Sequence, residues 1–175
     1  MTEPTRPPRV IVVRHGPAEL RDARRWRDDR ERPLSRKGVE QTRRVAAGLA
    51  RLIGPVATLA SSPAVRARRT AELLRAAVDR CPKPVYWPEL DVGRLAGPIF
   101  DRLRPVAAVN ETVVVVGHEP TLAEFVGLAL TGDGVAIVRL AKGGAACLEF
   151  PRAIRPGAAR LRWLLTRRQL AGAAD

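Results

Sequence analysis

The sequence predicts a single α/β domain whose central sheet is mostly parallel. Three observations lead to this prediction. Short β-branched runs alternate with amphipathic helical stretches, no internal repeat interrupts the alternation, and the length of 175 residues suits one domain. Hydrophobic residues make up 46% of the chain and charged residues 28%, which is a globular composition. We expect three layers, with helices on both faces of the sheet.

The first elements are a lead-in, a strand, a charged loop and a helix. Residues 1–8 are polar and proline-rich, and we expect them to be disordered. Residues 9–13 form a β-branched run typical of a buried parallel strand. A polar loop over residues 17–33 precedes Ser35, which opens a helix predicted to end near Leu52. The face of this helix that we expect to be buried carries Val39, Thr42, Val45, Ala46, Leu49 and Leu52.

The middle of the chain repeats the strand-then-helix pattern. Ser62 is a predicted N-cap and Pro63 a predicted first helical residue, since proline lacks the N–H that the first turn leaves unpaired. Strands are predicted at residues 56–60, 85–87 and 112–116, and helices at residues 63–78, 99–106 and 120–130. The helix after Pro63 is expected to bury Thr70, Leu73, Leu74 and Ala77.

The last third of the chain looks like β-structure joined by Gly/Pro turns. Residues 135–140, 145–150 and 159–166 are each predicted to be strands. We expect them to extend the sheet, partly in antiparallel orientation.

The chain is strongly basic, with 31 Lys and Arg against 18 Asp and Glu, a net charge of +13. This excess favours anionic partners such as nucleic acid, an anionic membrane surface or phosphorylated substrates. A coding bias toward arginine and alanine is a competing explanation, because all but three of the basic residues are arginine. A specific nucleic-acid function is not favoured, since the chain has no zinc finger or RNP-type aromatic pattern and only seven aromatic residues.

The two cysteines, Cys81 and Cys147, are far apart in sequence and form no CxxC motif. They indicate reduced thiols rather than a disulfide framework or a zinc site. The apolar run at residues 10–13 is too short for a signal peptide or a membrane span. We expect a cytoplasmic protein that does not enter membranes.

The only two histidines, His15 and His118, occupy matching positions just beyond an apolar strand and beside a glycine. Because ligands bind at the carboxyl ends of parallel strands, we expect both histidines to face one cleft. A lone histidine more often has a structural role, but two histidines in matched settings favour a functional role. A zinc site is not favoured, since two histidines lack the usual third and fourth ligands and Arg14 would repel a cation.

Three arginines are candidate anion ligands. Arg66 lies on the first turn of a predicted helix, where free backbone N–H groups and the helix dipole also attract anions. Its planar guanidinium matches the geometry of phosphate oxygens. Arg14 precedes the first histidine, and Arg32 ends the charged loop. Taken singly, each arginine could equally be a solvated surface charge.

Four motifs together resemble the histidine phosphatase (phosphoglycerate mutase-like) superfamily, in the order typical of that family. They are Arg14-His15-Gly16, RPLSRKG from Arg32, SSPAVRARRTAELL from Ser61 and VVVVGHEPTL from Val113. The short chain and its C-terminal segment are similar to the SixA-type phosphohistidine phosphatases. The resemblance covers residues 9–170 and implies a phosphoglycerate mutase-like α/β/α domain.

The resemblance implies a catalytic mechanism without a metal or other cofactor. His15 would be the nucleophile that becomes phosphohistidine, and His118 would be the second histidine beside the phosphate. Arg14, Arg32 and Arg66 would bind the phosphoryl oxygens. These roles agree with the chemistry of the residues, because neighbouring guanidinium groups keep an imidazole neutral and nucleophilic at pH 7.

The general acid is less defined. Larger members of the superfamily place a glutamate four residues before a glycine, and Glu89 with Gly93 fits that pattern. The SixA-type enzymes have no clear equivalent, so Glu89 could instead be an ordinary loop carboxylate. Glu119, next to His118, is the alternative candidate.

The leading functional hypothesis is hydrolysis of a phosphoryl group, with phosphohistidine of a protein as the favoured substrate. A small phosphate ester is the alternative substrate, and a polyanion-binding relative without catalysis is the alternative class of protein. The presence of both histidines, Arg14 and Arg66 favours the enzyme. The sequence leaves the leaving group and the oligomeric state open.

Overall fold

Six strands form where β-branched and small apolar residues run together. The computed structural model describes residues 5–174, and its strands are β1 (Arg9–Arg14), β2 (Thr58–Ser61), β3 (Val85–Tyr86), β4 (Thr112–Gly117), β5 (Ala145–Glu149) and β6 (Arg160–Leu165). They form one sheet in the order β3-β2-β4-β1-β5-β6. The first four are parallel, whereas β5 and β6 are antiparallel to their neighbours. The predicted mostly parallel sheet is confirmed.

Five helices cover the sheet: α1 (Arg36–Ile53), α2 (Val65–Ala77), α3 (Ile99–Leu103), α4 (Thr121–Thr131) and α5 (Arg167–Gly172). The strand side chains alternate between two apolar cores, so that Val10 and Val12 belong to one core and Ile11 and Val13 to the other. Helices α3 and α4 pack on the first face, and α1, α2 and α5 on the second. This arrangement confirms the three-layer prediction.

Two helices differ in detail from the prediction. Helix α2 begins at Val65, with Ala64 as its N-cap, so the predicted cap Ser62 and the predicted first helical residue Pro63 both precede the helix. The Ser62 hydroxyl instead contacts Asp91, His118 and the Ala64 N–H. Ala77, at the end of α2, is exposed. On α1, Leu52 is 41% exposed while Ile53 is buried, so the buried stripe ends one residue later than expected.

The predicted strand at residues 135–140 does not form. Val135 and Ile137 are exposed, and the ordered part of this segment is fixed by side chains instead of a strand ladder. The N–H of buried Leu140 donates to Glu119, and its carbonyl accepts from Arg14. The other two predicted strands of this region exist as β5 and β6 and extend the sheet in antiparallel orientation.

The lead-in is partly ordered. The Arg6 N–H donates to the Asn110 side chain at 2.6 Å, and the Phe150 N–H donates to the Pro8 carbonyl at 3.0 Å. The prediction of disorder for residues 1–8 is therefore wrong at residues 6 and 8, because their backbone groups bond to the domain. Residues 1–4 lie outside the described part of the chain.

Two findings concern membranes and thiols. Within residues 5–174, no helix has the length and apolar character needed to cross a membrane. Cys81 and Cys147 are both free thiols, and burial raises the pKa of Cys147 to about 11.

Candidate active site

The carboxyl ends of β1 and β4 bring the two histidines together. The strands are adjacent and parallel, with Arg14 level with Gly117, so the residues that follow each strand meet at one edge of the sheet. The His15 N–H donates to the Gly117 carbonyl at 3.1 Å, and the ring centroids of His15 and His118 are 4.9 Å apart. Both side chains are buried, at 5% and 2% exposure. The structure thus places both histidines in one cluster, as the sequence predicted.

His15 is held as a neutral imidazole with a defined tautomer. Its Nδ1 lies 2.7 Å from the Gly16 carbonyl oxygen, which can only accept, so Nδ1 carries the hydrogen. The lone pair is therefore on Nε2. Burial, followed by the neighbouring His118, Arg66 and Arg14, lowers the pKa of His15 to about 2. His15 is unprotonated at neutral pH and can act as a nucleophile through Nε2.

Gly16 allows His15 to sit this deep. A Cβ atom at position 16 would lie 2.1 Å from the Thr42 hydroxyl oxygen on α1, which is far inside van der Waals contact. The Gly16 N–H donates to Thr70 of α2 at 3.1 Å. The glycine after the first histidine is therefore required by close packing between β1 and the two helices.

His118 is part of a chain of buried hydrogen bonds with Ser62 and Asp91. The Ser62 hydroxyl donates to Asp91 Oδ1 at 3.1 Å and lies 2.8 Å from His118 Nε2. Because the hydroxyl hydrogen points to the carboxylate, the Ser62 oxygen accepts from His118, which places the neutral imidazole hydrogen on Nε2. All three side chains are at most 3% exposed. We refer to them as the His118–Ser62–Asp91 chain.

The charge state of His118 follows from its surroundings. Burial is the main reason that its pKa falls to about 3, and the positive charge of Arg66 is the next. Asp29 opposes this by raising the pKa, while Arg14 and Arg32 lower it further. His118 is thus neutral at pH 7 when no anion is bound, with its Nδ1 lone pair unused by the protein.

Asp29 aligns two of the predicted phosphate-binding arginines. Its carboxylate accepts from Arg66 Nη2 at 2.9 Å and from Arg32 Nε at 2.9 Å, and Arg66 Nη1 also donates to its backbone carbonyl. Burial alone would raise the pKa of Asp29, but hydrogen bonds from Arg32 and Arg21 and the charge of Arg66 lower it to about 2. Asp29 therefore stays ionised and fixes both guanidinium groups beside the histidines.

Arg14 reaches the same edge from the end of β1. Its Nη1 donates to the Leu140 carbonyl at 2.8 Å, which ties the guanidinium to the segment before β5. The charge of Arg14 lowers the pKa of both histidines, so it lies within electrostatic reach of them. The structure therefore brings together five of the six predicted site residues: Arg14, His15, Arg32, Arg66 and His118.

Three polar atoms of this cluster are buried without a hydrogen-bond partner: Arg14 Nε, Arg66 Nε and His118 Nδ1. An unpaired buried polar group is costly, and native structures contain few of them. The two arginine atoms are N–H donors that suit an anion. His118 Nδ1 carries a lone pair in the neutral ring, so it can share one hydrogen with a bound anion. Such atoms have the chemistry needed to bind a small oxyanion.

The structure places Glu89 away from the cluster. It lies in the 3-10 turn Pro88–Leu90 and accepts from Arg102 Nε at 3.0 Å. Its side chain lines a surface cavity of about 350 Å³ next to α3, with no hydrogen bond to either histidine. Asp91, two residues later, takes the inward position because the turn reverses the direction of the side chain.

The alternative acid, Glu119, has both carboxylate oxygens engaged by the backbone. It accepts from the Leu140 N–H at 2.7 Å and from the Ala123 N–H at 3.3 Å. These bonds fix the segment before β5 and the first turn of α4. In the described part of the chain, neither candidate acid has a hydrogen bond from its carboxylate to a histidine ring.

Sequence reasoning did not identify Asp29, Ser62 or Asp91. Ser62 was part of a recognised motif, but we interpreted its hydroxyl only as a helix cap. Asp29 is one of several acids in the charged loop, and Asp91 follows the glutamate assigned as the acid. Within residues 5–174, no group of three or more His, Cys, Asp or Glu side chains is placed to hold a metal ion.

Known proteins resemble this chain in sequence. The family model described as histidine phosphatase superfamily (branch 1) matches residues 10–104. A protein of Picosynechococcus sp., described as uncharacterized, is 34% identical over 153 residues, covering 87% of this chain and 87% of that protein. The family match contains Arg14, His15, Arg32, Arg66 and Glu89.

Solved structures share the fold. The protein histidine phosphatase SixA complexed with tungstate matches with a TM-score of 0.79 at 22% identity, covering 93% of this chain and 99% of that one. The alpha-ribazole phosphatase from Shigella flexneri matches with a TM-score of 0.64 at 16% identity, covering 91% and 96%. At these identities the two likenesses show a common fold.

Proposed function

The chain belongs to the histidine phosphatase superfamily, and we propose that it hydrolyses phosphoryl groups through a covalent phosphohistidine at His15 without a metal ion. The observation that carries this proposal is the group of unpartnered buried atoms on Arg14, Arg66 and His118 around a neutral, nucleophilic His15. SixA, which shares this fold, forms a complex with tungstate, an oxyanion similar to phosphate, and this supports an oxyanion as the ligand of the present chain.

In the first step of the proposed reaction, Nε2 of His15 attacks phosphorus. A P–N bond forms, the bond from phosphorus to the leaving group breaks, and the leaving group departs with the electron pair of that bond. The neutral state of His15 supplies the lone pair, and the Nδ1–H bond to Gly16 keeps Nε2 aimed at the substrate. In the second step, water attacks the same phosphorus and releases phosphate, which restores the imidazole of His15.

The surrounding residues stabilise the transferred group. A loose phosphoryl transition state carries charge on its three equatorial oxygens, which needs positioning and positive charge more than covalent chemistry. Arg66 and Arg32, fixed by Asp29, and Arg14, fixed by Leu140, would supply the hydrogen bonds. His118 would share one proton with a phosphoryl oxygen through Nδ1, because its Nε2–H is already donated to Ser62.

We propose phosphohistidine of a protein as the substrate. A protonated imidazole leaves phosphorus as a neutral molecule, so it needs no strong proton donor, whereas an alkoxide does. The engagement of Glu89 by Arg102 and of Glu119 by the backbone fits a reaction without such a donor. The two free thiols fit the reducing cytoplasm, where we place the reaction. A small phosphate ester, as in the alpha-ribazole phosphatase, is the alternative.

Substrate preference tests this assignment. We expect kcat/KM to be at least about tenfold higher on a phosphohistidine protein than on sugar phosphates, because the phosphoramidate needs less protonation. The measurement is kcat/KM for both substrate types with wild type and Glu89→Gln. A tenfold preference for a small ester would contradict the phosphoprotein proposal. If Glu89 acts as the acid despite its contact with Arg102, Glu89→Gln slows ester hydrolysis selectively.

The His118–Ser62–Asp91 chain gives a second prediction. The carboxylate of Asp91 stabilises a positive charge on His118, so Asp91→Asn should lower the pKa of His118 in the substrate complex. Because the pH dependence of kcat reports titrations in the substrate complex, we expect the alkaline limb of the kcat profile to move to lower pH and the maximal kcat to fall about tenfold. Ser62→Ala should act in the same direction.

The matched control for this prediction is Asp101→Asn on α3, which removes an exposed carboxylate paired with Arg104. This variant should leave the pH profile in place. A purely structural role for Asp91 would lower kcat equally at all pH values, and that result would contradict the proposed chain.

A further inference from the structure

We propose that a basic groove beside the active site binds an acidic segment of the phosphorylated protein substrate. This proposal rests on the phosphatase function proposed above and specifies its substrate further. The groove consists of Arg14, Arg139, Lys142, Arg167 and Arg168, which line a cavity of about 510 Å³. Its occupant would be a stretch of protein chain that carries glutamate or aspartate side chains next to the phosphorylated residue.

The groove is continuous with the active site through Arg14. This residue ends β1 directly before His15, and it is the one groove residue that also belongs to the histidine cluster. The Gly143 N–H donates to the His15 carbonyl at 3.0 Å, and the Arg14 N–H donates to the Gly144 carbonyl at 3.0 Å. The segment that carries Arg139 and Lys142 is thereby fixed against the strand end.

The opposite wall of the groove is formed by the start of α5. Arg167 begins α5, and its side-chain carbons lie over Gly143, where an added Cβ would be 3.3 Å from them. Gly143 has a φ of +74°, a conformation that side chains rarely adopt. The glycine therefore permits a tight turn that keeps the 139–142 segment and the start of α5 on two sides of one cavity.

The charge of the groove is not neutralised by the protein itself. No carboxylate lines the cavity, and Arg139, Lys142, Arg167 and Arg168 have no ion-pair partner among residues 5–174. Elsewhere on the surface many arginines are paired, such as Arg69 with Glu72 and Arg104 with Asp101. Clustered like charges in a concave surface repel one another and raise the local potential, which favours an anionic partner.

The form of the groove favours a protein segment over a second small anion. Arg139, Lys142 and Arg168 are exposed side chains on an open surface, so they do not enclose a single small anion. The volume exceeds that of one phosphate group several times and lies within the range of about 300–1,000 Å³ of ligand pockets. An extended chain with its phosphorylated residue at His15 would lay neighbouring residues along this groove.

The test compares two synthetic phosphohistidine peptides of equal length, one with glutamates on both sides of the phosphohistidine and one with glutamines. We expect wild type to prefer the glutamate peptide by about tenfold or more in kcat/KM, with the preference falling as salt is added. In the double variant Arg139→Glu/Arg168→Glu the preference should disappear. The control Arg75→Glu/Arg80→Glu makes the same change in net charge at a distant cavity and should keep the preference.

A binding measurement separates failure of the groove from failure of the enzymatic function. Fluorescence anisotropy with the unphosphorylated glutamate peptide should show binding to the His15→Ala protein, and weaker binding after the groove charges are reversed. Binding without any phosphatase activity would support the groove and contradict the proposed function. Activity with equal kcat/KM on both peptides would overturn the groove, as would an equal loss of preference in the control variant. If the groove raises kcat/KM for a small bisphosphate as much as for the glutamate peptide, the proposal that a protein segment occupies the groove is overturned.

Discussion

Replacing His15 with alanine is expected to lower kcat by about 10⁴-fold or more, because the variant loses the nucleophile on which both steps depend. The side chain makes one hydrogen bond, to the adjacent Gly16 carbonyl, so its removal should leave the fold intact. Steady-state turnover of a phosphohistidine protein and of a small ester measures the loss. Circular dichroism and the thermal midpoint of the variant serve as controls for folding.

The neutral state of His15 also defines a pH expectation for this comparison. Because its pKa is lowered to about 2, protonation of free His15 should not limit the wild-type rate anywhere above pH 4. Turnover by His15→Ala at more than about one per cent of the wild-type rate would show that another group attacks phosphorus. That result would remove His15 from the mechanism while leaving the family assignment unchanged.

Replacing His118 with alanine is the change with the second largest expected effect, a loss of about 10²–10⁴-fold in kcat. His118 would hold the proton shared with a phosphoryl oxygen, and it connects the phosphoryl group to Ser62 and Asp91. Alanine removes this contact and leaves the Ser62 hydroxyl with one partner fewer. Transfer from substrate to His15 should still occur, but slowly.

Single-turnover kinetics distinguishes the two histidines. His118→Ala should form phosphohistidine at a reduced rate, whereas His15→Ala should form none. His118→Gln is the matched variant, because its amide can retain a hydrogen bond to Ser62 without supplying a titratable nitrogen. If His118→Ala keeps more than about a tenth of the wild-type kcat, the proposed role of Nδ1 is wrong.

The placement of both histidines at one edge of the sheet could be predicted because it depends mainly on strand direction. Runs at residues 9–13 and 112–116 are parallel and adjacent, so His15 and His118 had to meet at one edge. Arg66 followed from its place on the first turn of α2. The contact between the two histidine rings depends on the register of β1 against β4, which no local sequence pattern indicates.

Asp29 and Asp91 could not be predicted, because their roles depend on how irregular segments fold. Asp29 is one of several acids in the charged loop, and only the path of that loop over α2 selects it as the partner of Arg66. In the turn Pro88–Leu90, a rotation of the backbone sends Glu89 outward to Arg102 and Asp91 inward to Ser62. The four-residue spacing from Glu89 to Gly93 fitted the pattern of the larger superfamily members, but spacing carries no information about this rotation.

The prediction of a strand at residues 135–140 was wrong for a related reason. Its run of apolar and β-branched residues predicted a strand, yet a strand needs a partner whose backbone groups are free. The edge of β1 is taken by β5, and Glu119 and Arg14 bind the backbone of Leu140 instead. Side chains from distant parts of the chain therefore decided the local structure.

The most direct test of the covalent mechanism is a rapid-quench experiment with a substrate that carries a radiolabelled phosphoryl group. The account predicts that the wild-type protein acquires a label that is stable to alkali, lost in acid and located on His15 by peptide mapping, and that this label decays when unlabelled substrate is added. His15→Ala should acquire no label under the same conditions. A label on another residue, or the same label in His15→Ala, would contradict the account.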